Sequence, residues 1–158
     1  MRSIAASAAI LAVVALSSAA WAQNATVDHL TPVELLEKAQ QLEPQASQSG
    51  SASVKLAEYP NHYTMVALRK KTGGAEVHQN YADFFYVLRG KATLVTGGTV
   101  VDPTTVSPGE IKGSSVRDGA TTALQEGDVV HIPANVPHQL VLPANSEFVY
   151  FVIKVKEQ

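Results

Sequence analysis

The segment Gly127-Asp-Val-Val-His131-Ile-Pro133-Ala-Asn135-Val-Pro137-His138 carries the clearest pattern in the sequence. A Gly-Asp turn signal opens it, and the β-branched run that follows predicts a short strand over residues 129–132. Pro133 ends that strand because its nitrogen has no hydrogen to donate to a neighbouring strand. The segment therefore predicts two short strands joined by a turn, with Pro137-His138 directly before the second strand.

A second stretch with polar side chains lies upstream, Glu76-Val-His78-Gln-Asn80-Tyr-Ala-Asp83-Phe-Phe-Tyr-Val-Leu-Arg-Gly90. Alternate residues of a strand share one face, so Glu76, His78 and Asn80 could converge on one surface. Asp83 opens an apolar run that predicts a buried strand ending at Gly90. The two stretches together hold three of the five histidines, which makes a shared site of imidazole and carboxylate groups a reasonable hypothesis.

The sequence from Val54 onwards has an all-β pattern, with short apolar runs separated by Gly, Pro and Asn turn signals. This pattern is typical of a sandwich or barrel. The last run is apolar on both faces, which predicts a central strand. Residues 101–121 show no sustained period, so we expect an irregular loop there. The predicted strands cover residues 54–58, 63–70, 75–79, 84–88, 92–96, 99–101, 122–124, 129–132, 139–142 and 147–155.

A helix is predicted ahead of these strands, over residues 31–42. Thr31 suits the N-cap position, Pro32 suits the first turn, and Glu34 completes a capping box. Leu35 and Ala39 begin an apolar stripe, so we expect this helix to cover the barrel from outside or to act as a dimerisation arm. The polar residues 45–53 that follow predict a linker.

The first 22 residues have the features of a signal peptide. Arg2 provides the positive charge, residues 4–16 are mostly apolar, and Ala20 and Ala22 occupy the two positions at which a signal peptidase requires small residues. A membrane span needs about 20 apolar residues, so this stretch is too short for one. We therefore divide the chain into a signal peptide (1–22), a tail, helix and linker (23–53) and a barrel domain (54–158).

Composition excludes several classes of function. The chain has 158 residues and a net charge of −2, which indicates one mildly acidic domain. Without a basic run it is a poor candidate for binding nucleic acid. There is no cysteine, so disulfides, thiolate metal sites and cysteine nucleophiles are excluded. Any metal ion would have to be held by nitrogen and oxygen atoms.

The two quoted stretches resemble the two signature motifs of the cupin superfamily. The second motif requires a glycine, a Pro-x-Gly group after five residues, and a metal-binding histidine after two more. Gly127, Pro133 and His138 match those positions, and Asn135 stands where glycine is usual.

The first motif is matched less completely. Asp83 takes the position of the family's glutamate, since six residues separate it from Gly90. His78 then takes the second histidine position and Glu76 the first. In the alternative register His78 is the first histidine and Asn80 the second, but only two residues then separate Asn80 from Asp83. The spacing favours the set of Glu76, His78 and Asp83.

The resemblance implies an all-β fold, namely a cupin-type antiparallel β-barrel (a double-stranded β-helix, or jelly roll) with one N-terminal helix. It also implies a divalent metal site for Fe, Mn, Ni, Zn or Cu. His131 is an additional candidate ligand if its side of the strand faces the barrel interior, and Glu76 is either a ligand or a general base. The candidate ligands are His78, His138, Asp83, Glu76 and His131.

Cupins include dioxygenases, isomerases, decarboxylases, lyases, and sugar- or effector-binding domains, so the resemblance leaves two functions open. One is an exported metal-dependent protein that acts on or binds a small organic molecule. The other is a non-catalytic ligand-binding module of the cell envelope without a metal. We expect a small-molecule partner, a homodimer as one assembly state, and no membrane insertion after the signal peptide is removed.

The signal peptide generates a first testable prediction. We expect the exported chain, periplasmic or secreted, to begin at Gln23, because cleavage follows Ala22. N-terminal sequencing of protein from the exported fraction checks this. Recovery of an intact Met1 terminus from a membrane pellet would contradict it.

Overall fold

The computed structural model describes residues 27–157, so the predicted signal peptide (1–22) lies outside the described residues. The described part contains two helices followed by twelve strands. The helices are α1 (Pro32–Gln41) and α2 (Glu43–Ser49); the strands are β1 (Ser51–Glu58), β2 (His62–Arg69), β3 (Ala75–His78), β4 (Tyr81–Thr96), β5 (Thr99–Val101), β6 (Thr104–Ser107), β7 (Glu110–Gly113), β8 (Ser115–Arg117), β9 (Ala120–Gln125), β10 (Val129–Ile132), β11 (His138–Val141) and β12 (Phe148–Lys156).

The long strand β4 belongs to both sheets of the barrel. Its first half pairs with β12 and β10, and its second half pairs with β11 and β9. Strands β2 and β1 extend the first sheet beyond β12, while β3, β7 and β6 extend the second beyond β11. All of these pairings are antiparallel, and β12 is a central strand as predicted.

Gly90 forms the corner at which β4 passes from one sheet to the other. It pairs with Phe148 of the first sheet, and the next residue, Lys91, already pairs with β9 of the second. Gly90 has a φ of 89°, and a β-carbon there would overlap the carbonyl oxygen of Glu147. Only glycine combines this conformation with such close backbone contact. The predicted strands 84–88 and 92–96 are therefore one strand bent at a glycine.

The barrel interior is filled by the inward-facing residues of both sheets. On β4, Phe85 and Val87 are buried in this core, whereas Phe84 and Tyr86 are partly exposed on the outside. This is the alternation that a strand imposes on its side chains. The core cluster consists of Ala67, Phe85, Val87, Ala92, Leu94, Leu124, Ile132, Leu140, Leu142, Phe148, Tyr150 and Val152.

Both helices pack on the outer face of the first sheet. Leu35 and Ala39 of α1 share a second apolar cluster with Leu68 and Val149, so the predicted position of the helix outside the barrel is confirmed. No helix within residues 27–157 is long and apolar enough to cross a membrane.

The prediction of a linker over residues 45–53, and with it that of a single helix, is wrong. Residues Glu43–Ser49 form α2, and β1 begins at Ser51. Pro44 does not end the helical region, because it lies in the first turn of α2, where a missing backbone N–H leaves no hydrogen bond unmade. Gly50 ends α2 in the left-handed conformation.

The predicted irregular loop over residues 101–121 is also wrong, because the chain there forms β6, β7 and β8. Strands β6 and β7 make a hairpin around Pro108 and Gly109, and β7 pairs with β3. The strand β6 is exposed along its whole length, so it lacks the apolar alternation by which strands are recognised in sequence.

The corner at Gly90 can be tested against a glycine of nearly equal φ. Gly127 has a φ of 91° but no atom near the position of its β-carbon. Gly127→Ala should lower the free energy of unfolding by about 1–2 kcal/mol, the cost of a left-handed L-residue. Gly90→Ala should lower the free energy of unfolding by about 1–3 kcal/mol more than Gly127→Ala, because its methyl group must displace the backbone at Glu147. Urea unfolding of both variants measures the difference; equal losses would contradict the steric role of Gly90.

Candidate metal centre

His78 and His138 converge in the barrel interior. They lie on the neighbouring strands β3 and β11, where His138 pairs with Glu76 across the ladder. Their ring centroids are 5.1 Å apart, and the side chains are almost completely buried. Two residues sixty positions apart in the sequence thus meet because their strands are adjacent, as the resemblance implied.

Hydrogen bonds on the far side of each ring determine which nitrogen faces the interior. Nδ1 of His138 lies 3.0 Å from the carbonyl oxygen of Val136, which can only accept, so Nδ1 carries the hydrogen. Nδ1 of His78 lies 2.6 Å from Oε2 of Glu110, and a carboxylate likewise accepts. In the neutral rings both Nε2 atoms therefore present lone pairs, the form in which imidazole binds metals.

These two Nε2 atoms are buried and have no hydrogen-bond partner among the described residues. Buried polar groups normally have a hydrogen-bond partner, so a buried nitrogen without one indicates a position for a ligand. The atoms lie within 4.8 Å of each other and of a carboxylate oxygen of Glu76. This set of two nitrogens and one oxygen fits a divalent cation.

Glu76 is kept ionised by its neighbours. Burial raises its pKa, but Arg69, Lys112 and the two histidines favour the carboxylate and hold the pKa below its ordinary value. Lys112 donates to Oε1 at 3.2 Å, whereas Oε2 lies 4.0 Å from Nε2 of His78. One oxygen of Glu76 is thereby anchored, and the other is directed towards the histidines.

His138 is kept neutral by its surroundings. Burial is the main cause that lowers its pKa from the ordinary value, and the nearby His78 lowers it further. The hydrogen bond to the backbone of Val136 and the carboxylates of Asp83 and Glu76 raise the pKa but do not outweigh burial. At neutral pH the ring of His138 is therefore ready to donate a lone pair.

Asp83 lies at the same cluster but already has a cationic partner. Its Oδ2 lies 3.6 Å from Nε2 of His78 and 3.8 Å from Nε2 of His138. Nζ of Lys154 lies 2.6 Å from this oxygen and 2.5 Å from Oδ1. Both residues are buried, so this is an ion pair in the barrel interior. Asp83 is therefore close enough to the histidines to be a ligand, but its charge is already paired with that of Lys154.

The predicted assignment of His131 as a ligand is wrong. His131 pairs with Phe84 on β4 and stacks on its ring at a centroid distance of 4.3 Å. That face of β4 is the outer one, and His131 is exposed. Its neighbour Ile132 faces the core instead. Because β10 has apolar residues on both faces, its sequence pattern does not identify the inner side.

The structure also decides between the two registers of the first motif. Asn80 is exposed in the turn between β3 and β4, so Glu76 and His78 are the residues of β3 that face the interior.

Asn135, which replaces the usual glycine of the second motif, has a φ of 65°. Asparagine adopts this conformation more easily than other non-glycine residues. Its backbone N–H donates to the carbonyl of His78 at 2.9 Å, which ties the two motifs together.

Two functional residues were missed from the sequence, Glu110 and Lys154. Glu110 follows Pro108-Gly109, a turn signal that could have indicated a hairpin. Lys154 interrupts the apolar run of β12, and a charged residue buried in such a run requires a partner. Both signals were present in the sequence, but neither identifies which residue is the partner.

The site opens into a cavity of about 390 Å³ inside the barrel. Its wall combines the charged cluster with apolar side chains of the core, and the volume is that of a small-molecule pocket. The side chains that line it include Tyr63, Met65, Arg69, Glu76, His78, Asp83, Phe85, Glu110, Lys112, His138, Gln139, Leu140, Tyr150, Val152 and Lys154.

No protein-family model matches the sequence, and no curated protein matches it either. Among solved structures the chain is similar to the cupin domain of Cnp3 from Schizosaccharomyces pombe, with a TM-score of 0.51 and 12% identity over 70% of this chain and 67% of that one. It is also similar to an uncharacterized conserved protein with a double-stranded β-helix domain from Klebsiella pneumoniae, with a TM-score of 0.50 and 15% identity over 68% of this chain and 77% of that one. These similarities show that the chain has the cupin fold, and the predicted all-β barrel is confirmed.

The buried ion pair generates a prediction about stability. Lys154→Met leaves the carboxylate of Asp83 unpaired in the interior, so the free energy of unfolding should fall by about 3–5 kcal/mol. The double variant Asp83→Asn/Lys154→Met should recover most of this loss, because it leaves no unpaired charge. Urea unfolding at neutral pH measures both variants.

Lys55→Met is the matched control, because Lys55 also pairs with a carboxylate, that of Glu58, but the two side chains are 50% and 67% exposed. Exposed pairs contribute about 0–1 kcal/mol, so this variant should be nearly as stable as the parent protein. A loss in Lys154→Met no larger than that in Lys55→Met would show that the interior pair is not required for folding.

Proposed function

We propose that this protein is a metal-dependent cupin that holds a divalent cation in the barrel interior and binds a small organic molecule beside it. The observation that carries the proposal is the pair of buried Nε2 atoms of His78 and His138, which have no hydrogen-bond partner among residues 27–157. Glu76 adds an oxygen donor within 4.8 Å of both. Three protein donors are the usual minimum for a metal site that keeps positions open for a ligand.

The residues around the two histidines orient the imidazole rings and line the cavity. Glu110 and the carbonyl of Val136 hold the two imidazoles in the tautomer that exposes Nε2, which is the outer-shell arrangement common around metal-bound histidines. Phe85 and Val152 contribute apolar side chains to the wall of the cavity. A divalent cation bound here would supply Lewis-acid polarisation of an oxygen on the bound molecule.

Glu76 can act as a general base as well as a metal ligand. Its lowered pKa keeps the carboxylate ionised at neutral pH, so it serves either as an oxygen ligand or as a general base at the edge of the cavity. The donor set of two nitrogens and one oxygen suits Fe(II), Mn(II), Ni(II), Zn(II) or Cu(II). We place this activity outside the cytoplasm, in agreement with the predicted signal peptide.

One observation favours the alternative, a ligand-binding module without a metal. Lys154 already supplies a positive charge to Asp83 at 2.6 Å, at the position where the first cupin motif would provide a carboxylate ligand. The interior charges are thereby partly balanced by the protein itself. In this alternative the Nε2 atoms of the two histidines accept hydrogen bonds from a polar ligand.

Metal titration separates the two candidates. Mn(II), Ni(II) or Zn(II) at about a hundredfold excess over its dissociation constant should stabilise the folded protein by on the order of 3 kcal/mol, since it binds the folded state alone. His138→Ala should abolish this effect because it removes a buried ligand. His131→Ala should retain it, because His131 is exposed on the outer surface and provides a matched control. Thermal unfolding with and without metal, together with elemental analysis, measures both.

Acidification should reverse metal binding, because each imidazole must lose its proton to bind. Since the pKa of His138 is lowered, that ring stays neutral below the usual value of 6.5 and is protonated only at more acidic pH.

In the metal titration, equal thermal shifts in the parent protein and His138→Ala, or no bound metal after reconstitution, would favour the metal-free module.

A further inference from the structure

Arg69 is a cationic group of the cavity that keeps hydrogen-bond donors free for a ligand. Among the cationic side chains that line the cavity, Lys112 donates to Glu76 and Lys154 donates to Asp83. Arg69 has no such hydrogen bond to a carboxylate in the described part of the chain: Nη2 lies 3.8 Å from the nearest oxygen of Glu76. The guanidinium is thus near an acid but still has donors to offer.

The guanidinium is held in a fixed orientation. Its side chain is only 15% exposed, and Nε donates to the hydroxyl of Tyr150 at 2.9 Å. Because that hydroxyl accepts from Arg69, its own hydrogen remains available for a second acceptor. Arg69 and Tyr150 both line the cavity, so they offer several donors to one bound group. A carboxylate matches a guanidinium fork, because its two oxygens can accept two parallel hydrogen bonds.

The distance between Arg69 and the histidine cluster suits a small molecule. Nη2 lies 3.8 Å from Oε2 of Glu76, and this oxygen lies 4.0 Å from Nε2 of His78. A single small acid could therefore reach both groups. The cavity of about 390 Å³ has room for such a molecule beside the cluster.

The charges of the cavity favour an anion once a divalent cation is bound. Three cationic side chains and three carboxylates line it, so the protein itself is balanced when both histidines are neutral; the six residues are Arg69, Lys112, Lys154, Glu76, Asp83 and Glu110. A divalent cation makes the total positive. An acid is then attracted and a basic ligand is repelled.

We propose, on the basis of the metal site proposed above, that the cavity binds a small carboxylic acid with a hydroxyl or keto oxygen on the adjacent carbon. Arg69 and Tyr150 receive the carboxylate. The second oxygen lies at the cluster of Glu76, His78 and His138, where three protein donors leave positions open for it.

Isothermal titration of Ni(II)-loaded protein with glycolate tests this inference, with glycolamide as the matched neutral ligand. Glycolamide has the same hydroxyl group but an uncharged amide in place of the carboxylate. It should bind on the order of 10–100-fold more weakly, which is the usual range for a hydrogen bond to a charged group. Equal affinities for the two ligands would overturn the proposal.

The variant Arg69→Met should lower the affinity for glycolate by a similar factor while Ni(II) still binds. Arg89→Met is the matched control, because Arg89 pairs with Glu147 on the outside and its side chain is 51% exposed; it should bind glycolate like the parent protein. Glycolate binding unchanged in Arg69→Met would also overturn the proposal. If Arg69→Met does not fold, the comparison of glycolate with glycolamide in the parent protein decides.

The affinity for Ni(II) is measured first, without glycolate, in every variant. Failure of the parent protein to bind Ni(II) would overturn the proposed metal site and the acid-binding proposal with it. Binding of Ni(II) without preference for glycolate would overturn the acid-binding proposal alone.

Discussion

Side-chain alternation along β4 is the constraint on which the rest of the structure depends. This strand runs through both sheets and bends at Gly90, so the face that points inwards in its first half determines the interior of the barrel. Asp83 faces inwards and Phe84 outwards. On each strand paired with β4, a residue lies on the same face of the sheet as the β4 residue opposite it. Lys154 is therefore placed beside Asp83, whereas His131 is placed outside on Phe84. A shift of one residue would reverse every one of these positions.

An interior that contains so many ionisable groups is stable only if each has a partner. Asp83 has Lys154, and Glu76 has Lys112. Among the described residues the buried polar atoms without a partner include the Nε2 atoms of His78 and His138. The structure therefore satisfies most of its buried charge internally and leaves two adjacent lone pairs, a local departure from the rule that is typical of functional sites.

Much of the fold follows from the sequence, because turn signals and apolar runs are local features. The strand over residues 129–132 has the predicted bounds, and the prediction that β12 is a central strand is confirmed. Information about which face is buried is not local. The face of the sheet on which His131 lies and the identity of the residue that pairs with Lys154 both depend on the register between distant strands. The strand that carries Glu110 was missed because it belongs to a mostly polar, exposed hairpin.

The carboxylate of Glu76 changes the electrostatics of the site relative to a histidine at the same position. A neutral imidazole would leave the full charge of a divalent cation, whereas a carboxylate ligand cancels one unit of it. Arg69, whose Nη2 lies 3.8 Å from Glu76, returns one positive charge to the same region. With a divalent cation bound, this positive charge would lie on a side chain with a fixed orientation, since Nε of Arg69 donates to Tyr150. Because a guanidinium recognises a carboxylate by shape as well as by charge, this arrangement would favour a carboxylate over a spherical anion of equal charge.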